Sequence, residues 1–126
     1  MYSLGVKQDF IAQHFLIGGD WGTENQRHSH HYRIEVQLEG KDLDEHGYLV
    51  DIVKVKDSLD KLISSLSDKT LNELPDFRKV NPSIEHLARI CYQILSVAID
   101  NSRVSITTVK IWEDDQAWAA YSDSGP

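Results

Sequence analysis

A chain of 126 residues, 40% hydrophobic and 26% charged, has the size and make-up of a single soluble domain over residues 1–126. Chains of this length bury about two-thirds of their unfolded surface, so neither a disulfide nor a metal is needed merely to hold the fold. A formal net charge of −7 lacks the basic patch that nucleic-acid binding requires, and no apolar run reaches membrane-spanning length. Met1 to Gly5 carries neither the basic nor the apolar region of a signal peptide, and the single cysteine, Cys91, has no internal partner. A reducing, cytoplasmic setting is the expectation.

Leu4, Val6, Phe10, Ala12, His14 and Leu16 alternate with Lys7, Asp9 and Gln13, which is strand periodicity. Ile17 to Gly22 contains three glycines and reads as a loop. A second strand is predicted from His28 to Leu38, with His28, His30, Tyr32, Ile34, Val36 and Leu38 on one face, and Gly40 to Gly47 is a charged turn. From Ile52 the spacing becomes helical through Val55, Leu59, Leu62, Ile63 and Leu66, with Asp51 as N-cap. Asp68 to Asn81 is polar and irregular. A second helix is predicted from Pro82 with Asn81 as cap, burying Ile84, Leu87, Ala88, Cys91, Ile94, Leu95 and Ala98. Cys91 on that stripe reads as core packing. Strands return at Val104 to Glu113 and Trp118 to Tyr121. The order β-β-α-α-β-β predicts an α+β fold, an antiparallel sheet with two helices on one face.

His28 and His30 are two apart on a strand and leave the same face, and His14 ends the apolar row of the first strand. If the two strands share a sheet, the three imidazoles converge near the loop joining them. Three neutral imidazoles with a fourth position open form the donor set of a catalytic zinc site. A His-x-His pair is also commonplace at a strand edge, so the spacing alone leaves both readings open. His31 points to the opposite face, and His46 and His86 read as solvent-exposed.

Several segments together resemble the 6-pyruvoyltetrahydropterin synthase/6-carboxytetrahydropterin synthase family. Phe10-Ile11-Ala12-Gln13-His14 is similar to that family's first metal-ligand strand, and His28-Ser29-His30-His31-Tyr32 to its His-Gly-His-Asn-Tyr. Gly47 to Ile52 is similar to Gly-x-x-x-Asp-Phe, Leu71-Asn72 to a Leu-Asn segment between the helices, and Pro82 to Ala88 to Pro-Thr-x-Glu-Asn-Leu-Ala. Glu113, eight residues before Tyr121, matches the pterin-anchoring glutamate. The resemblance implies the tunnelling fold (T-fold) and a closed homo-oligomer, trimer or hexamer, with sites at subunit boundaries. It implies zinc on His14, His28 and His30, and a small-molecule pterin held by Glu113 with a further contact from Ser83. A carboxylate suits that anchoring role, since it takes two hydrogen bonds from an aminopyrimidine edge.

The same resemblance exposes replacements. The family's basic cysteine sits four residues before the first histidine of the pair, where this chain has Glu24. Its Asp-His proton relay falls on Ser67 and Asp68. Glu24 is either a general base beside the metal or a solvated loop residue, and Asp68 is a proton acceptor without an imidazole's near-neutral pKa. Three functions follow from the resemblance: a zinc-dependent lyase acting on the side chain of 7,8-dihydroneopterin triphosphate or a relative, an aldolase-like cleavage with Glu24 as base, or a catalytically silent zinc- and pterin-binding protein.

Overall fold

Strand alternation is realised in full at the start of the chain. In a computed structural model describing residues 1–99 and 102–123, β1 (Tyr2–His14) and β2 (His28–Gly40) form a long antiparallel pair. Val6, Phe10, Ala12 and His14 from β1, and Tyr32, Ile34, Val36 and Leu38 from β2, are buried on one face. β3 (Ser105–Trp112) pairs with β2, and β4 (Trp118–Tyr121) with β3, in a four-stranded sheet ordered β1-β2-β3-β4. The register shifts between Gln37 and Leu38, so Leu38 faces Ile106 while Val36 faces Val109. That irregularity lets Ile106 and Val109, three residues apart, both point inward.

The two helices cover the apolar face. α1 (Ile52–Leu66) packs on β1 through Val55, Leu59, Leu62 and Leu66. Its N-cap is Asp51, whose carboxylate accepts from the Val53 N–H at 3.0 Å. α2 (Ile84–Ala98) packs on β3 and β4. Its start departs from the sequence reading: the cap is Ser83, whose hydroxyl oxygen accepts from the His86 N–H at 3.2 Å, and Pro82 precedes the helix. Asn81 is drawn elsewhere, because its side-chain oxygen accepts from the Ile17 N–H at 3.0 Å. The buried stripe also differs. Ile90 is buried, whereas Ile94 and Ala98 are exposed, because α2 lies on the sheet through Leu87, Ala88, Cys91 and Leu95. Burial pushes the Cys91 thiol up to about 12, which makes it an inert packing group.

The irregular segment between the helices is a clamp. Asp68 adopts φ 60, turning the chain so that its N–H donates to the Ile11 carbonyl at 2.7 Å, and the Gln13 N–H donates to the Lys69 carbonyl at 2.9 Å. The Asn72 amide then brackets Phe15, accepting from its N–H at 3.0 Å and donating to its carbonyl at 2.9 Å. Those bonds end β1 at His14, two residues earlier than the apolar alternation suggested. Leu71 and Phe77, in two 3-10 turns, sink into the core. Among the described residues no helix is long and apolar enough to cross a membrane.

Leu59 is fully buried, so Leu59→Ala should cost about 2–5 kcal/mol, whereas Ser83→Ala should cost only about 1 kcal/mol through loss of the cap. Urea unfolding of both variants beside the parent measures the difference.

Candidate metal centre

The β1–β2 register decides where the histidines meet. His14 stands opposite His28 and Ala12 opposite His30, so all three rings leave the inner face at one end of the sheet. His14 Nε2 lies 2.9 Å from His28 Nε2, which lies 3.0 Å from His30 Nε2. The rings meet edge to face, with centroids 4.6–4.9 Å apart.

The outer nitrogens explain how the inner ones are prepared. His14 Nδ1 donates to the Pro82 carbonyl at 2.8 Å, and His28 Nδ1 donates to the Gln26 carbonyl at 2.7 Å. A carbonyl only accepts, so in each neutral ring the proton is on Nδ1 and the lone pair is on Nε2. Lone pairs at such separations repel unless a cation lies among them. Tetrahedral zinc sets its nitrogen donors about 3.3 Å apart, so only a few tenths of an ångström of opening is required. The carbonyl partners orient the rings as outer-shell acceptors do around a metal. Burial pushes the pKa of His14 down, which keeps that ring neutral and able to donate its lone pair. The residues therefore fit a divalent ion.

A carboxylate completes the group. Glu24 lies on a 3-10 turn (Gly22–Asn25) whose first residue has φ 65, a conformation that favours glycine. Glu24 Oε2 is 2.8 Å from His28 Nε2, and donor atoms of His14, Glu24, His28 and His30 all lie within 4.8 Å of one another. A second carboxylate, Glu113, touches the rim: its Oε1 is 3.2 Å from His30 Nε2. Glu113 follows β3 and is placed by a tight hairpin, in which its N–H donates to the Ala117 carbonyl at 3.0 Å. Asp114 pins that hairpin by accepting from the Gln116 and Ala117 N–H groups, which lowers its own pKa. Tyr32, fully buried, sets its hydroxyl 3.3 Å from His14 Nδ1. Burial, with the carboxylates of Glu113 and Glu24 behind it, raises the Tyr32 pKa and keeps the phenol protonated.

Next to His30 and Glu113 lies a cavity of about 400 Å³, most of whose border (Asp9, Ser29, His31, Arg33 and Trp112) belongs to the face of the sheet opposite the three rings. That volume is in the range of small-molecule sites. Ser83 caps α2 as an acceptor, one residue after the Pro82 carbonyl that orients His14. Asp68 is not one of the groups gathered here. It is exposed in the turn after α1, in a groove shared with Ser67, Ile11, Asp9 and His31.

That groove holds a pair that the linear reading missed. His31 faces away from the centre, as alternation requires, but its Nε2 is 3.1 Å from Asp9 Oδ2 while Arg33 Nε is 3.0 Å from Asp9 Oδ1. The Arg33 guanidinium, followed by the His31 ring, holds the Asp9 carboxyl below its ordinary value. An Asp-His pair thus borders the turn that carries Ser67 and Asp68. The available signal was the cross-strand pairing of Asp9 with Arg33, which needs the register to be seen. His46 is exposed as expected. His86 is instead half-buried, its Nδ1 donating to the Asn81 carbonyl at 2.6 Å across the start of α2.

Comparison with known proteins places this geometry. The chain is 27% identical over 118 residues to the 6-carboxy-5,6,7,8-tetrahydropterin synthase of Bacillus subtilis, covering 88% of this chain and 78% of that protein. It is 24% identical over 110 residues to the dihydroneopterin monophosphate aldolase of Pyrococcus furiosus, covering 87% and 88%. The 6-pyruvoyl tetrahydropterin synthase of Caenorhabditis elegans superposes with a TM-score of 0.87 at 22% identity, over 98% of this chain and 96% of that one, so the fold is the tunnelling fold. Residues 3–124 match the family model for 6-pyruvoyl tetrahydropterin synthase, and the chain belongs to that family, with a His/Glu cluster able to bind a metal ion where β1 ends and β2 begins.

Proposed function

We propose that the protein is a zinc-dependent lyase that cleaves the side chain of 7,8-dihydroneopterin triphosphate or a closely related dihydropterin. The observation that carries this reading is Glu24, a carboxylate 2.8 Å from His28 Nε2, at the position where the resembling enzymes have a cysteine. The relatives cover two reactions, one protein being a tetrahydropterin synthase and the other an aldolase. Glu24 favours the aldolase-like one, because a carboxylate suits removal of a hydroxyl proton followed by carbon–carbon cleavage.

His14, His28 and His30 would hold zinc, the ion that best matches three neutral imidazoles and an oxygen donor. Bound zinc acidifies hydroxyl groups that reach it. Glu24 takes the proton from the hydroxyl on the second side-chain carbon, the far end of the bond that breaks between the first and second carbons. The electron pair of that bond moves toward the ring imine, an aldehyde leaves, and the ring-side carbon is then protonated to give a hydroxymethyl product. Glu113, at the rim and beside the cavity, accepts from the aminopyrimidine edge and so fixes the ring relative to the centre. The Ser83 hydroxyl, while accepting within the cap, keeps a hydrogen to donate to the ligand.

Asp68 takes part as a proton acceptor only if a neighbouring copy carries it to the centre, since it stands outside the cluster of its own chain. That requirement fits a closed homo-oligomer. The outer edges of β1 and β4 also offer pairing surface to another copy. Light scattering at micromolar concentration should give a trimer or hexamer, and a monomer would count against this role for Asp68.

Incubating the zinc-loaded protein with dihydroneopterin triphosphate, and identifying products by mass, tests the reaction. Hydroxymethyl-dihydropterin should form, and Glu24→Gln should slow its formation about 10²–10⁴-fold. An unchanged rate in that variant removes Glu24 as base. If both proteins bind zinc and pterin yet consume nothing, the protein is a binder. Glu113→Ala should weaken neopterin binding by about 10–100-fold, the loss of charge-assisted hydrogen bonds, measurable by fluorescence titration.

A further inference from the structure

We propose that Glu24 is the fourth ligand of the resting centre, and that the oxygen atoms of an incoming dihydroxylated side chain displace it and release it as the base. The inference rests on the reading that the His cluster holds a divalent metal, and adds to it how the centre is closed and opened.

The contacts at one atom carry the argument. His28 Nε2 has His14 Nε2 at 2.9 Å, His30 Nε2 at 3.0 Å and Glu24 Oε2 at 2.8 Å. A proton on that nitrogen satisfies only one of these neighbours, and His28 Nδ1 already uses its proton on the Gln26 carbonyl. One cation among the four donor atoms satisfies all of them. The three contacts at His28 Nε2 are slightly shorter than the donor spacing of a tetrahedral shell, and all four donor atoms lie within 4.8 Å of one another. Glu113 sharpens the distinction, since it meets His30 at 3.2 Å but is not among the four mutually close groups. The two carboxylates therefore divide the work: Glu24 points into the shell and Glu113 stands at its rim, next to the neighbouring cavity.

The loop is built to hold Glu24 there while leaving its side chain releasable. The Leu16 N–H donates to the Glu24 carbonyl at 2.9 Å, and the Asn25 amide donates to the carbonyls of Leu16 and Gly19. The Trp21 N–H closes the turn on the Asn25 side-chain oxygen at 2.7 Å. These bonds fix the backbone at the exit of β1. The carboxylate itself is about half exposed, and among the described residues its hydrogen-bonding contact is with His28. A carboxylate bound to a metal is a poor base, so the centre is quiescent until a ligand with two adjacent oxygens takes its place. Side chains offering only one oxygen compete less well.

Zinc affinity and cobalt spectroscopy test this without turnover. The metal-free parent, Glu24→Ala and Glu24→Gln are titrated with zinc against a chromophoric chelator, with circular dichroism to verify folding. Both variants should bind zinc at least about tenfold more weakly, since even groups behind a ligand contribute 10–100-fold. In the cobalt-loaded parent, azide should leave the visible bands unchanged, while neopterin shifts them and 6-methylpterin, which lacks the diol, does not. In cobalt-loaded Glu24→Ala, azide should shift them. Equal zinc affinities and equal azide responses in all three proteins would overturn the inference while the three-histidine metal reading stands. Bands in the parent that neopterin leaves unmoved would overturn displacement. A folded parent that takes up neither zinc nor cobalt overturns the metal reading and this inference together.

Discussion

The site depends on the pairing register of β1 and β2. Side chains alternate faces along a strand, so a slip of one residue would move His14 to the face opposite His28 and His30. The register is held by the same residues that make the core: Phe10 lies opposite Tyr32 and stacks on it with centroids 5.2 Å apart, and Val6 lies opposite Val36. Hydrophobic burial along the pair therefore supplies the energy that holds the facing lone pairs of His14 and His28 together beside His30. The His/Glu cluster able to bind a metal ion is the polar end of a hydrophobic row, and its geometry is inherited from that row.

Backbone carbonyls from outside the sheet do the remaining positioning. Pro82 orients His14 from the segment before α2, and Gln26 orients His28 from the loop before β2. The Asn72 clamp on Phe15 and the Asn81 bond to Ile17 tie the same segments to the exit of β1. Asparagines that look like ordinary loop polarity in the sequence thus act as cross-braces between chain segments about 60 residues apart. Satisfying the half-buried amides of Phe15 and Asn72 is also why the chain leaves strand geometry abruptly after His14.

The opposite face of the sheet carries a second polar grouping with a different logic. Asp9, His31 and Arg33 form a cross-strand cluster next to the turn with Ser67 and Asp68. The turn carries Ser67 and Asp68 without an imidazole, and the adjacent strand supplies one in His31. His31 stands where the resembling strand has asparagine. The two faces of β2 therefore present histidines to two separate environments, one enclosed by carbonyls and carboxylates and one open to solvent.

By itself, the sequence determined what periodicity and residue chemistry encode locally: the element order, the Asp51 cap, the inward row ending in His28 and His30, and the order of family motifs from Phe10 to Glu113. These are legible because a strand's period of two and a helix's of 3.6 translate directly into faces. Tertiary structure decided whatever depends on segments distant in the chain. Asn81 is a plausible cap until Ile17 competes for its side chain, and Ser83 becomes the cap instead. Ile94 and Ala98 belong to an apolar stripe until the angle of α2 on the sheet leaves them outside and takes in Ile90. The position of Glu24 was legible, but its contact with His28 came from a 3-10 turn braced by Asn25, and the separation of Asp68 from the centre came from the turn that docks on Ile11. Local pattern sets which face a side chain leaves; only packing between distant segments sets what it meets there.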